Sequence, residues 1–267
     1  MRLIATDLDG TLLRSGGVLS DRTADALRLA RRSGSTVVVV TARPPRFTDA
    51  YAGLVDLAVC GNGAVVYDPA AGRILTSNCL DVPTARKVAD TLRAALPGAG
   101  CAVETGHRVF LEPAFTWRCE ADTLACCEDE LQVEVGSFEE ALDRAERITK
   151  ILVHHPTMRV DAMLATAREV VGRQAEVTHS GGPGLLEVCA AGITKASTVA
   201  AVCAERGIPA ADVVAFGDAP NDLSMLRWAG TGYAMGNAHP DVLAAAEHRT
   251  VTNNEDGVAV VLERLFA

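Results

Sequence analysis

The sequence predicts an α/β protein: a doubly wound, mostly parallel sheet that is split in sequence by an inserted α+β domain. Three observations carry this. Short β-branched apolar runs alternate with helical patterns at the start of the chain. The alternation changes character after Gly63, and the first rhythm returns from Ile193. With 267 residues, 49% of them hydrophobic, the chain can bury cores of that size.

Taken in order, Arg2 to Thr6 form an apolar strand that ends at Asp7. Ser20 to Arg32 read as a helix, with Ser20 as N-cap and Gly34 as the stop. Thr36 to Val40 are continuously apolar, as required of a parallel strand covered by helices on both faces, and Leu57 to Cys60 repeat the pattern. Beyond the turn Gly61-Asn62-Gly63, shorter segments such as Ala102-Val103-Glu104 and Ile151-Leu152-Val153 stand between helices. Ser137-x-x-Glu140 has capping-box spacing, Thr157 to Val171 form a helix stopped by Gly172, and Gly181 to Gly184 make a loop. Helix Lys195 to Arg206, strand Val213 to Phe216, helix Asn221 to Trp228 and strand Tyr233 to Met235 then resume the opening rhythm. The expected division is a core of residues 1–82 and 187–267, with residues 83–186 as an inserted α+β cap.

Composition narrows the function. The formal net charge of -9, without a basic stripe interleaved with aromatics, argues against a nucleic-acid partner. No apolar run reaches the roughly 18 residues of a membrane span, and the start lacks a signal peptide's layout, so the expectation is a cytoplasmic protein with no membrane partner. The eight cysteines are scattered, with Cys126 and Cys127 adjacent and no Cys-x-x-Cys pair, which favours free thiols over disulfides or zinc. Monomer and homodimer both remain open.

The chemistry-bearing residues stand at the carboxyl ends of strands: Asp7 and Asp9, Thr41, Asn62, and Asp218. Open α/β sheets bind ligands along that edge. Asp7, Asp9, Asp218 and Asp222 are expected to converge, and their repulsion calls for a counter-ion. Oxygen-only ligands favour Mg2+. An EF-hand is excluded, because Val18 stands where its bidentate Glu belongs. Taken singly, each residue has a plainer reading: Asp7-x-Asp9-Gly10 as a turn, Thr41 as a strand-end cap, and Lys195 as a solvated lysine. Lys195 in the first turn of a helix capped by Thr194 opposes the helix dipole, and a phosphate bound there would explain it.

In order, Asp7-Leu8-Asp9-Gly10-Thr11-Leu12, Thr41-Ala42-Arg43, Lys195 and Gly217-Asp218-Ala219-Pro220-Asn221-Asp222 resemble the four motifs of the haloacid dehalogenase superfamily of phosphatases. The Asn62-Gly63-Ala64 turn, the large insert and the run Ala234-Met235-Gly236-Asn237-Ala238 resemble its Cof-type branch, with a type IIB cap on a Rossmann-like core. The resemblance implies that Asp7 is the nucleophile and Asp9 the general acid and base. It implies Mg2+ held by Asp7, the backbone carbonyl of Asp9, and Asp218, with Asn221 and Asp222 completing the metal and phosphate shell. Thr41 and Lys195 would bind the transferring phosphoryl group, and Ala42, Arg43 and Asn62 would lie near the substrate. Ala42, Ala219 and Ala196 depart from the glycines usual in the family.

The implied function is a Mg2+-dependent phosphatase acting on a small phosphorylated metabolite, such as a sugar phosphate, through an aspartyl-phosphate. A phosphomutase or phosphotransferase and a non-catalytic phosphate- or metal-binding regulator are the alternatives. The cap is expected to close over the crevice and read the leaving group, with Thr178, His179 and Ser180 as candidate contacts.

Overall fold

The computed structural model describes residues 1–106, 108–116 and 132–266. The chain divides into two compact units, residues 1–76 with 194–267, and residues 77–193. In chain order, the first unit begins with β1 (Leu3–Thr6), α1 (Asp21–Arg32), β2 (Thr36–Val40), β3 (Leu57–Cys60), β4 (Val65–Asp68) and β5 (Arg73–Ser77). The second unit holds α2 (Val82–Ala95), β6 (Gly100–Glu104), β7 (Arg108–Leu111), β8 (Gln132–Val135), α3 (Phe138–Arg144), β9 (Lys150–His154), α4 (Val160–Val171), β10 (Ala175–Thr178) and β11 (Leu185–Ala190). The chain then returns to the first unit with α5 (Lys195–Glu205), β12 (Val213–Gly217), α6 (Leu223–Trp228), β13 (Thr231–Ala234), α7 (Pro240–Ala245), β14 (His248–Arg249) and α8 (Gly257–Phe266).

In the first unit the strands form one sheet in the order β14-β13-β12-β1-β2-β3-β4-β5. From β14 to β3 all pairings are parallel, and β3 meets β4 antiparallel. The chain runs outward one way through β2 and β3 and the other way through β12 and β13, so the connections diverge at β1. Val37, Val38, Val39 and Val40 are fully buried, and each such side chain stabilises the fold by about 1.5–3 kcal/mol. Ser20 caps α1 by accepting from the Thr23 N–H, a contribution of about 1 kcal/mol. The hairpin β4–β5 extends this sheet beyond the turn at Gly61 to Gly63.

The second unit is a six-stranded sheet, β10-β11-β9-β6-β7-β8, antiparallel throughout except for β7 with β8. Period-2 alternation sends Cys101, Val103, Ile151 and Val153 to the face packed with Val88, Leu92, Leu142 and Met163 from the helices. The capping box predicted at Ser137 and Glu140 is present. Helix α4 starts at Val160, three residues later than expected, because the His155 side chain accepts from the N–H groups of Thr157 and Met158 and holds them in a turn.

His179, a candidate substrate contact by sequence, is only 1% exposed, and its Nδ1 accepts from the Gly181 N–H at 3.2 Å. It braces its own loop. Cys119, Cys126 and Cys127 lie outside the described residues, and among the described residues no disulfide joins the other five cysteines. Among the described residues no helix is long and apolar enough to cross a membrane.

Candidate active site

Asp7 follows the last residue of β1, at the point where the sheet's connections diverge and a crevice opens beyond the strand ends. Its N–H donates to the Phe216 carbonyl of β12 at 3.0 Å, which keeps the chain in register one residue past the strand. Beside it, β12 ends at Gly217, and the next residue is Asp218. Oxygens of Asp7, Asp218 and Asp222 all lie within 4.8 Å of one another.

Lys195 opens α5, behind a capping box formed by Thr194 and Ser197. It is 1% exposed, and its Nζ donates to Asp7 Oδ1 and to Asp222 Oδ1, both at 2.6 Å. The sequence asked what offsets the unfavourable dipole position, typically 0.3–1 kcal/mol, and offered a phosphate. In the structure two carboxylates fill that role through charge-assisted hydrogen bonds, and the solvated-lysine reading is overturned. Burial pulls the Lys195 pKa down, but Asp222 and Asp7 together outweigh it and hold the ammonium form.

The second loop of the site is closed by Asp222. Its Oδ2 accepts from the N–H groups of Asp218 and Ala219, both at 3.0 Å. Alanine in place of glycine at position 219 therefore keeps an amide that is already engaged. The first loop approaches closely: Gly10 has φ +77°, and a Cβ there would overlap the Asp218 carboxylate. Thr11 Oγ1 donates to Asp218 Oδ1 at 2.9 Å. This tie was not assigned from sequence, although Thr11 sits inside the first motif.

Asp9 corrects the expectation of four converging carboxylates. Its side chain is 46% exposed and accepts a two-bond fork from Arg43, with Nε to Oδ2 at 2.6 Å, so three carboxylates form the cluster and Asp9 faces the guanidinium. Arg43 is thereby placed at the site by a contact with Asp9, and Ala42 lies half-buried before it.

Thr41, expected to bind the transferring phosphoryl group, is 1% exposed. Its N–H donates to the Val59 carbonyl at 2.8 Å, so the amide belongs to the sheet. The hydroxyl oxygen accepts from the Arg43 N–H at 3.1 Å, which leaves the hydroxyl proton as the donor. Asn62 takes a left-handed backbone, φ 56°, and its Oδ1 accepts from Asn221 Nδ2 at 2.9 Å. Asn221 Oδ1 is buried with no hydrogen-bond partner among the described residues.

The electrostatics follow from this packing. Burial pushes the Asp7 pKa well above the usual carboxylate value, Lys195 pulls it back, and Asp222, Asp218 and Asp9 push it further up. Asp218 is raised to about 7, by burial first and then by Asp222, with Thr11 and Lys195 opposing. Three carboxylates around one ammonium leave two surplus negative charges when all are ionised. One hard divalent cation neutralises that surplus, and the orphaned Asn221 oxygen adds a further donor of the kind such ions or their waters take up. The donor set fits Mg2+.

Comparison with known proteins identifies the family. Residues 4–262 match the family described as haloacid dehalogenase-like hydrolase. The chain is 32% identical over 276 residues to 5-amino-6-(5-phospho-D-ribitylamino)uracil phosphatase YitU of Bacillus subtilis (strain 168), covering 99% of this chain and 97% of the relative. It is 29% identical over 271 residues to pyridoxal phosphate phosphatase YbhA of Escherichia coli (strain K12), covering 97% and 96%. A solved haloacid dehalogenase-like hydrolase from B. subtilis superposes with a TM-score of 0.84 at 27% identity, covering 99% of this chain and all of that one. The chain therefore belongs to the haloacid dehalogenase-like hydrolases, in their Cof-type branch.

Proposed function

We propose that this protein is a Mg2+-dependent phosphatase that hydrolyses a small phosphorylated metabolite through an aspartyl-phosphate on Asp7. The observation that supports this best is the Asp7 carboxylate at the switch point, bonded by a buried lysine and set among two further carboxylates with a surplus of two negative charges. Phosphoryl transfer asks for positioning and charge neutralisation more than for covalent ingenuity.

In the first step an Asp7 oxygen attacks phosphorus, the ester P–O bond breaks, and the departing oxygen takes a proton from Asp9. In the second, Asp9 takes a proton from water as that water attacks phosphorus, and inorganic phosphate leaves with Asp7 restored. Asp9 accepts both bonds of the Arg43 fork, so its acid step requires the carboxyl to turn from the guanidinium. Lys195 and the Thr41 hydroxyl hold phosphoryl oxygens. Asp7, Asp218, Asp222 and the Asp9 carbonyl would hold Mg2+, which would offset the repulsion between an anionic nucleophile and an anionic ester.

These groups handle only the phosphoryl end, so recognition of the leaving group falls, in this reading, to the inserted cap of residues 83–186 that the sequence predicts. The test is phosphate release across a panel of phosphometabolites, including the ribitylaminouracil phosphate and pyridoxal phosphate named for the two relatives, with Mg2+ or with EDTA. Mg2+-restored release is expected. Undiminished release from metal-free protein, or product that forms only when a sugar acceptor is added, overturns the reading.

A further inference from the structure

The run Ala234-Met235-Gly236-Asn237-Ala238 marks the family branch, yet the mechanism above gives it no task. Asn237 lies just past β13, and its Nδ2 donates to the Gly10 carbonyl at 2.8 Å while its Oδ1 accepts from the Asn253 N–H at 2.9 Å. A carbonyl can only accept and a backbone N–H can only donate, so these partners fix which end of the amide is which. Asn253 continues the chain of contacts, donating from Nδ2 to the Leu13 carbonyl at 2.8 Å.

The same short segment also holds the opposite loop by its backbone. The Met235 N–H donates to the Gly217 carbonyl at 3.1 Å, and the His239 N–H donates to the Asp218 carbonyl at 2.8 Å. Residues 235–239 thus grip Gly10 with one side chain and the Asp218 loop with two amides. Between those grips lies a close approach of the two loops, Gly10 against the Asp218 carboxylate.

We propose that Asn237 is a positioning residue: by clamping the Gly10 carbonyl it sets the loop that carries Asp7 and Asp9 at the spacing from Asp218 that a divalent cation requires. The inference rests on the metal-dependent reading given above. Gly10 lies in a turn, three residues from Asp7, where no strand ladder fixes its carbonyl, so a lost clamp lets the loop drift. A displacement of about 1 Å at a reacting group is enough to lower a rate about 10²-fold.

The control is Asn254, which ties the same loop further along by two bonds, Nδ2 to Ser15 Oγ at 3.0 Å and the Ser15 N–H to its Oδ1 at 2.9 Å. Mg2+ binding by titration calorimetry and kcat on a small aryl phosphate would be measured for the wild type, Asn237→Ala, Asn237→Ser and Asn254→Ala, with thermal melts to confirm folding. Both Asn237 variants are expected to bind Mg2+ about tenfold more weakly and to lose about 10²-fold in kcat with KM within threefold, while Asn254→Ala stays within about twofold on both readouts. Should Asn237→Ala not fold, Asn237→Ser, which keeps a small polar side chain in the loop, is judged alone. Wild-type Mg2+ affinity in a folded Asn237 variant, or an equal loss in Asn254→Ala, overturns the proposal. A wild type that neither binds Mg2+ nor turns over overturns the phosphatase reading and this inference with it.

Discussion

Each unit of this protein buries a lysine between two carboxylates, and the two clusters differ in where the chain puts the acids. In the second unit Lys150 lies beside Glu187 at 2.8 Å and Glu104 at 3.5 Å, each at most 7% exposed. Those acids stand within strands, and Glu104 pairs with Lys150 in the ladder between β6 and β9. In the first unit the partners of Lys195 stand on loops past the strand ends, with Asp218 as a third acid and a glycine pressed against it. In both, burial lowers the lysine pKa and the acids more than restore it. A buried ion pair is therefore no mark of a site. The third carboxylate, the loops at the divergence point and the close glycine are what set one cluster apart.

The largest test of that contrast is Asp7→Asn, which keeps shape and removes both the nucleophile and a charge. Turnover of a small aryl phosphate should fall at least about 10³-fold, with the thermal midpoint preserved or raised as repulsion with Asp218 and Asp222 is relieved. Activity within about tenfold of wild type removes Asp7 from the mechanism. Glu187→Gln, the matching change in the other cluster, should leave kcat on that substrate nearly unchanged.

Next comes the pair of lysines. Lys195→Met should lower kcat by about 10²-fold or more, because it strips a fixed positive charge from the transferring group. Lys150→Met should instead destabilise the fold by about 3–5 kcal/mol through uncompensated buried carboxylates, with kcat per folded molecule unchanged. Chemical denaturation and kcat on both variants separate these outcomes, and equal rate losses would erase the distinction between the clusters.

The smallest expected effect is on stability without metal. Asp218 has its folded pKa raised to about 7 from the ordinary carboxylate value of 3.8. Between those values the unfolded chain ionises while the folded one stays protonated, so the metal-free protein should lose stability as pH rises from about 4 to 7 and recover none above. A thermal midpoint about 5 °C or more lower at pH 8 than at pH 5, restored by Mg2+ at pH 8, is the expected result. A midpoint flat across that range contradicts the crowding of acids around Asp218.

Much of the site was legible in the sequence because its logic is local. A strand that ends in Asp7, valines of a doubly covered strand, and caps at Ser20, Ser137 and Thr194 follow from periodicity and capping over a few residues. The strand ends already brought Asp218 and Asp222 towards Asp7, and the motif resemblance added Lys195 at the transferring phosphoryl group. Spacing alone would have left the lysine on the surface.

What only the tertiary structure decided was which side chain meets which. Lys195 finds Asp7 across 188 positions, Asn237 finds Gly10 across 227, and Asp9 leaves the acid cluster for Arg43, 34 residues on. Local propensity carries no information on such pairings. They are settled when the strands take their order and the loops at their ends are packed together, where an acid goes to whichever cation the backbone brings within hydrogen-bond reach. So the sequence by itself determined the elements, their caps and the edge of the sheet at which the acids gather. The folded chain determined that three acids, and not four, form the cluster and that two of them hold the lysine, because the turn through Gly10 presents Asp9 to Arg43 and keeps Asp7 beside Lys195.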